Sequence, residues 1–182
     1  MYDALLVRHC APTLAGLKTG SLFSCTFEQK EEMCICLRRW NRLLSKQDIH
    51  VLPVFRHGER TLIYIYHPRA LLHDLANRQT AQLLTELSYP LSCLEHCLAH
   101  LMHRLNCSPD FPHEIGLFLG YPPEDVRGFI RDPAAYKLSG CWKVYGDVRA
   151  AQDRFDMYRN CTQTCCALLA LGVGLEQLAT AY

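Results

Sequence analysis

Two runs constrain this chain more than any others: Ile49-His50-Val51-Leu52-Pro53-Val54-Phe55 and Thr61-Leu62-Ile63-Tyr64-Ile65-Tyr66. Both are dense in β-branched and aromatic residues, which fit a pleated, half-buried surface. Between them lies Arg56-His57-Gly58-Glu59-Arg60, with glycine at the bend, so a β-hairpin is predicted over about 49–66. Pro53 has no N–H for a sheet ladder and assigns the first run to a sheet edge. One further stretch, Tyr136 to Tyr145, carries β propensity through Trp142, Val144 and Tyr145, giving a strand over about 138–145. The remaining periodic segments have helical spacing. The expected fold class is therefore α+β: a mostly helical single domain, 1–182, with a small antiparallel sheet.

The helical segments follow in order. Residues 1–10 form a short strand or helix that ends at the Cys10-Ala11-Pro12 turn. Thr26-Phe27-Glu28-Gln29 has the spacing of a capping box and opens a helix to about Ser45. Its apolar face is Met33, Cys36, Leu37, Trp40 and Leu44, and Arg38, Arg39 and Arg42 form a solvated basic patch. Pro68 opens a helix to about Asn77, and Thr80 caps another to Leu87. Pro90 to Asn106 is helical, with Leu91, Leu94, Leu98, Leu101 and Leu105 as its buried stripe. Asp147 caps a helix to Arg159, and Cys161 begins a last apolar helix interrupted by Gly172 and Gly174.

Phe111 to Ile130 reads as two short helices hinged at Gly120-Tyr121-Pro122-Pro123. Ile115, Phe118 and Leu119 share one helical face, and Val126, Phe129 and Ile130 share another. His113 and Glu114 stand at a helix start, where backbone amides favour an anion. A histidine there can exchange protons near neutral pH, and an adjacent glutamate can orient it or act as a base. His113 and Glu114 are accordingly the candidate catalytic pair, with Tyr121 and Lys143 as candidate ligand contacts.

Composition narrows the class of function. At 182 residues, 49% apolar and 20% charged, the chain has the make-up of a folded domain rather than a disordered one. A net charge of +1 argues against a dedicated nucleic-acid binder. No apolar run approaches the ~20 residues that span a bilayer, so no membrane partner is expected. The start, Met1-Tyr2-Asp3, lacks the layout of a signal peptide, and a cytoplasmic location is the expectation.

Three long motifs run through the sequence. They are Cys10-Ala11-Pro12-Thr13-Leu14-Ala15-Gly16-Leu17-Lys18-Thr19-Gly20-Ser21-Leu22-Phe23, the block from Phe111 to Ile130, and Gly140-Cys141-Trp142-Lys143-Val144-Tyr145-Gly146-Asp147. With Cys161-Thr162, they give the chain a strong resemblance to an uncharacterised family of small proteins from anaerobic bacteria. That resemblance brings no activity with it. It does raise Lys18 and Ser21, in a glycine-containing and flexible loop, to candidate ligand contacts.

Other motifs lead elsewhere. Eleven cysteines, an odd number at helical spacings, read as buried thiols in a reducing compartment. Cys93, His96, Cys97, His100 and His103 have spacings that suit a metal or haem, but no second ligand-bearing motif accompanies them, and no metal is assigned. Leu6-Val7-Arg8-His9-Cys10-Ala11-Pro12-Thr13 and Arg56-His57-Gly58-Glu59-Arg60 are similar to the strand-end motif of histidine phosphatases. There a histidine accepts the phosphoryl group. Three functional readings result. The leading one is a small-molecule or cofactor-binding protein, an enzyme or not, with an anion-accepting site near Lys18 and His113; its cofactor is unknown, and paired aromatic and basic residues would suit a flat anionic one such as flavin. The second is a non-catalytic redox or metal-related adaptor that docks onto an electron-transfer protein, and the third is phosphoryl transfer. Catalysis and oligomeric state stay open.

Overall fold

In the computed structural model, residues 2–180 are described. The hairpin forms as its sequence dictates. β2 (His50–His57) and β3 (Arg60–Tyr66) pair antiparallel around Gly58, whose φ of 60° is the left-handed conformation that glycine adopts freely. They follow α1 (Tyr2–Leu14), β1 (Gly20–Thr26) and α2 (Lys30–Leu44), the last ending in a 3-10 turn over Ser45–Gln47. The sheet order is β1-β3-β2, so β2 is an edge strand, and its register shifts between Pro53 and Phe55. Pro53 thus occupies the edge position that its missing donor requires.

The described residues group into two units. One comprises the chain up to Ala70 together with the part from Tyr158 onward, the other Leu71–Met157. Both boundaries fall inside helices, α3 (Pro68–Ala76) and α8 (Val148–Ala170), so no linker composition marks them. In the first unit, α1, the inner face of α2 and the sheet close over one apolar cluster. Leu6, Cys10, Phe27, Trp40, Ile63 and Ile65 lie at its centre. The α2 face is the expected one: Met33, Cys36, Leu37, Trp40 and Leu44 are all buried.

The second unit holds α4 (Arg78–Glu86), α5 (Leu94–Cys107), α6 (Ile115–Phe118) and α7 (Pro123–Arg131). After α7 comes a two-stranded ribbon, β4 (Leu138–Ser139) with β5 (Lys143–Val144), and then α8 begins. The short helix α9 (Leu175–Leu178) ends the first unit. As the block predicts, α6 and α7 are separated at Gly120, which turns the chain at φ 73°. Asp147 caps α8 by accepting the amides of Arg149 and Ala150 at 2.9 and 3.1 Å.

Several expectations are corrected. Helix α1 does not stop before Pro12 but carries it, buried, to Leu14. Apolar packing there outweighs the one backbone bond that proline forfeits. Leu14 to Phe23 is not a flexible loop. Leu17 N–H donates to Pro12 O at 2.8 Å, His67 N–H to Thr19 O at 3.0 Å, and β1 begins at Gly20. Thr26 ends β1 rather than capping α2, because pairing with Arg60 claims it. Asn77, not Thr80, caps α4, its Oδ1 accepting from the amides of Gln79 and Thr80. The expected strand over 138–145 folds back on itself as β4 and β5 and joins no other strand. The apolar segment after Cys161 is no separate helix but the continuation of α8. Ile130 and Leu91, both placed on buried faces, are exposed.

Candidate ligand-binding clefts

The site candidates divide between the two units. Lys18 and Ser21 belong to the first. Ser21 is 3% exposed in β1, and its hydroxyl shares a 2.8 Å hydrogen bond with that of Thr13. Lys18 is half-buried, and its charge acts on the thiol of Cys10. Ser21 is thus taken up by internal packing.

His113, Glu114, Tyr121 and Lys143 belong to the second unit. Pro112 and the α6 turn fix the backbone so that adjacent side chains part company: His113 is exposed, whereas Glu114 is 2% exposed. Glu114 Oε1 accepts from the hydroxyl of Tyr89 at 2.9 Å. The Arg104 guanidinium approaches the same oxygen at 2.7 Å, as an ion pair rather than an aligned hydrogen bond. Burial first, and then the Glu114 charge, push the Tyr89 phenol well above its ordinary range. A carboxylate engaged in this way braces the fold. It does not point out beside His113 as a free base.

His113, Tyr121 and Lys143, by contrast, line one cleft of about 200 Å³, with Ile115, Leu119, Val126, Phe129 and Trp142 supplying its apolar surface. Phe129 is its centre. The His113 ring meets it edge-on at 4.8 Å, and the Lys143 ammonium lies 5.3 Å from its centroid. Lys143 Nζ also donates to Pro133 O at 2.9 Å and sits 4.7 Å from the Tyr136 ring, so the ammonium is held in place. Tyr121 stacks on Trp142 with centroids 4.8 Å apart.

Asp125, an acid in the first turn of α7, builds this arrangement. It is 3% exposed. Its Oδ2 accepts from Trp142 Nε1 at 2.7 Å, and its Oδ1 accepts from the amides of Tyr145 and Gly146, each at 2.7 Å. One carboxylate thereby ties the start of α7 to the Gly140–Asp147 segment and sets the angle of Trp142. The signal for it was present: an acid two residues after a proline pair, and a second motif containing tryptophan and glycine. Only the fold joins them.

The chain belongs to the DUF3793 family of proteins of unknown function. The family model matches residues 6–179, and the three motifs that carried the resemblance all lie inside it. No curated protein and no solved structure matches the chain. Two of these three stretches, 111–130 and 140–147, thus meet at Asp125 and enclose the cleft.

The other sequence motifs find different settings. Arg8 and His9 lie within α1, not at a strand end, and His9 stacks on Phe23. Arg56-His57-Gly58 forms the hairpin tip and leads into another strand, without the helix of a phosphatase site. On α5, Cys97 is buried and His100 packs on Tyr89 at 4.4 Å. Among the described residues, no group of three His, Cys, Asp or Glu side chains is placed to hold a metal. Burial pushes the thiols of Cys36 and Cys161 up to about 12 and that of Cys97 to about 11. Reactive thiolates are shifted the other way. Among the described residues, no helix is long and apolar enough to cross a membrane.

Proposed function

We propose that this protein binds a small, largely apolar molecule bearing one acidic group, in the cleft over Phe129. The observation that carries the reading is the convergence of His113, Tyr121 and Lys143 on one apolar cleft of about 200 Å³. That volume is below the roughly 300–1,000 Å³ of drug-sized sites, which points to a single ring or short chain rather than a flavin. The apolar body would lie on Phe129 and Leu119. The acidic group would sit at the rim, where the Lys143 ammonium is pre-ordered and has N–H donors beyond the one given to Pro133. The reading is binding rather than catalysis, because Glu114 is already engaged by Arg104 and Tyr89.

Benzoate is a suitable probe, with benzamide as its uncharged counterpart. Followed by amide NMR, benzoate is expected to shift His113, Leu119 and Lys143 saturably. Lys143→Ala is expected to weaken it about tenfold, the scale of a charge-assisted hydrogen bond. Equal binding of benzamide would remove the acidic group from the proposal, and no saturable shift with either probe would remove the site.

A further inference from the structure

A second cleft, of about 310 Å³, lies on the other side of the Tyr121–Trp142 stack and shares with the first only Tyr121, Asp125 and Trp142. Its walls come from the start of α4, the Gly120–Asp125 turn and the start of α8. Four carboxylates line it, and three have internal work. Asp125 holds Trp142, Tyr145 and Gly146; Asp147 caps α8; and Asp74 lies 3.5 Å from His73 Nδ1. Two charges remain, Glu124 on α7 and Arg154 on α8. Both are exposed at the rim, and neither has an ion-pair partner among the described residues. At the floor stands Thr80, 4% exposed, whose hydroxyl has no hydrogen-bond partner among the described residues.

A hydroxyl on the cleft wall that is not spent on an internal bond can both donate to and accept from a polar group that enters. An unpaired acid and an unpaired base on the rim of one cleft offer a partner to each end of a molecule that carries both charges. From these features together we infer that this cleft binds a small zwitterion, an α-amino acid with an apolar side chain. The carboxylate meets Arg154 and the Thr80 hydroxyl. The ammonium meets Glu124. The side chain lies against Leu117 and Tyr121. This assignment is independent of what fills the cleft over Phe129.

The test is an amide NMR titration of the full chain with the common amino acids at about 10 mM, enough to nearly saturate even a millimolar site. L-Leucine is set beside isoamylamine, which lacks the carboxylate, and 4-methylvalerate, which lacks the ammonium. Saturable shifts at Thr80, Glu124 and Arg154 are expected with an apolar amino acid and with neither analogue. Glu124→Gln and Arg154→Gln, both at the exposed rim, are each expected to weaken binding about tenfold. Amine or acid binding as tightly as the amino acid would overturn the assignment. So would the absence of saturable shifts with any amino acid, whatever benzoate does in the other cleft.

Discussion

At the scale of single residues, two buried carboxylates govern the second unit, and their substitutions should be costly in different ways. Asp125→Ala leaves Trp142 Nε1 and the amides of Tyr145 and Gly146 without their acceptor. A loss of about 3–5 kcal/mol is expected in urea denaturation, the range for stripping a buried charged partner. Asp125→Asn keeps the volume but turns an acceptor into a donor that faces a donor, for about 1–3 kcal/mol. Loss of less than 1 kcal/mol for Asp125→Ala, on the scale of an exposed site, would mean that the clamp is dispensable. Glu114→Gln weakens the contacts to Arg104 and Tyr89, with a loss of about 1–3 kcal/mol in the same measurement. These roles were half legible. Asp125 and Glu114 were visible as acids at helix starts. Burial sets them apart from other such acids, and it comes from partners 10 to 25 residues away that no local pattern names.

At the scale of elements, helix α7 and the β4–β5 ribbon fit together only because glycine stands where they touch. A Cβ on Gly128 would run into the Tyr145 ring, and, where the ribbon meets α8, one on Gly140 would run into Phe155. Tyr145 is poorly free to move, since its amide is held by Asp125 and its hydroxyl donates to Asp132 O at 2.9 Å. Gly128→Ala is therefore expected to lower stability by about 1–3 kcal/mol through overpacking, despite alanine's better helix propensity. A neutral or stabilising result in thermal unfolding would show that the ring swings aside. The hairpin, the α2 face and the α6–α7 hinge were readable because each depends on local periodicity and turn chemistry. Thr26 misled because two local preferences, cap and strand, compete for it. Pairing with Arg60, distant in sequence, decides between them.

For the whole molecule, the thiols make stability depend on pH. Cys36, Cys97 and Cys161 carry folded-state values raised to about 12, 11 and 12, and burial raises Cys10 as well. Raised values mean that the folded chain keeps protons that the unfolded chain releases. The stabilising contribution is therefore complete below the ordinary thiol value of about 8.5 and declines as pH rises above it. Tyr89, raised by burial, adds to the decline above its ordinary value of about 10. Denaturant midpoints measured under reducing conditions are expected to fall steadily between these values and beyond. A flat profile would mean that the thiols are hydrated. The α+β class, the hairpin with its proline edge and the paired short helices could be read from the chain alone, because they rest on short-range spacing and turn residues; the family could be read from its long motifs. The tertiary structure alone decided that Ser21 and Glu114 are committed to internal partners. It also brought His113, Tyr121 and Lys143 to one cleft and made Asp125 its keystone. Burial and cross-chain contact are properties of packed surfaces, and no single stretch of chain contains them.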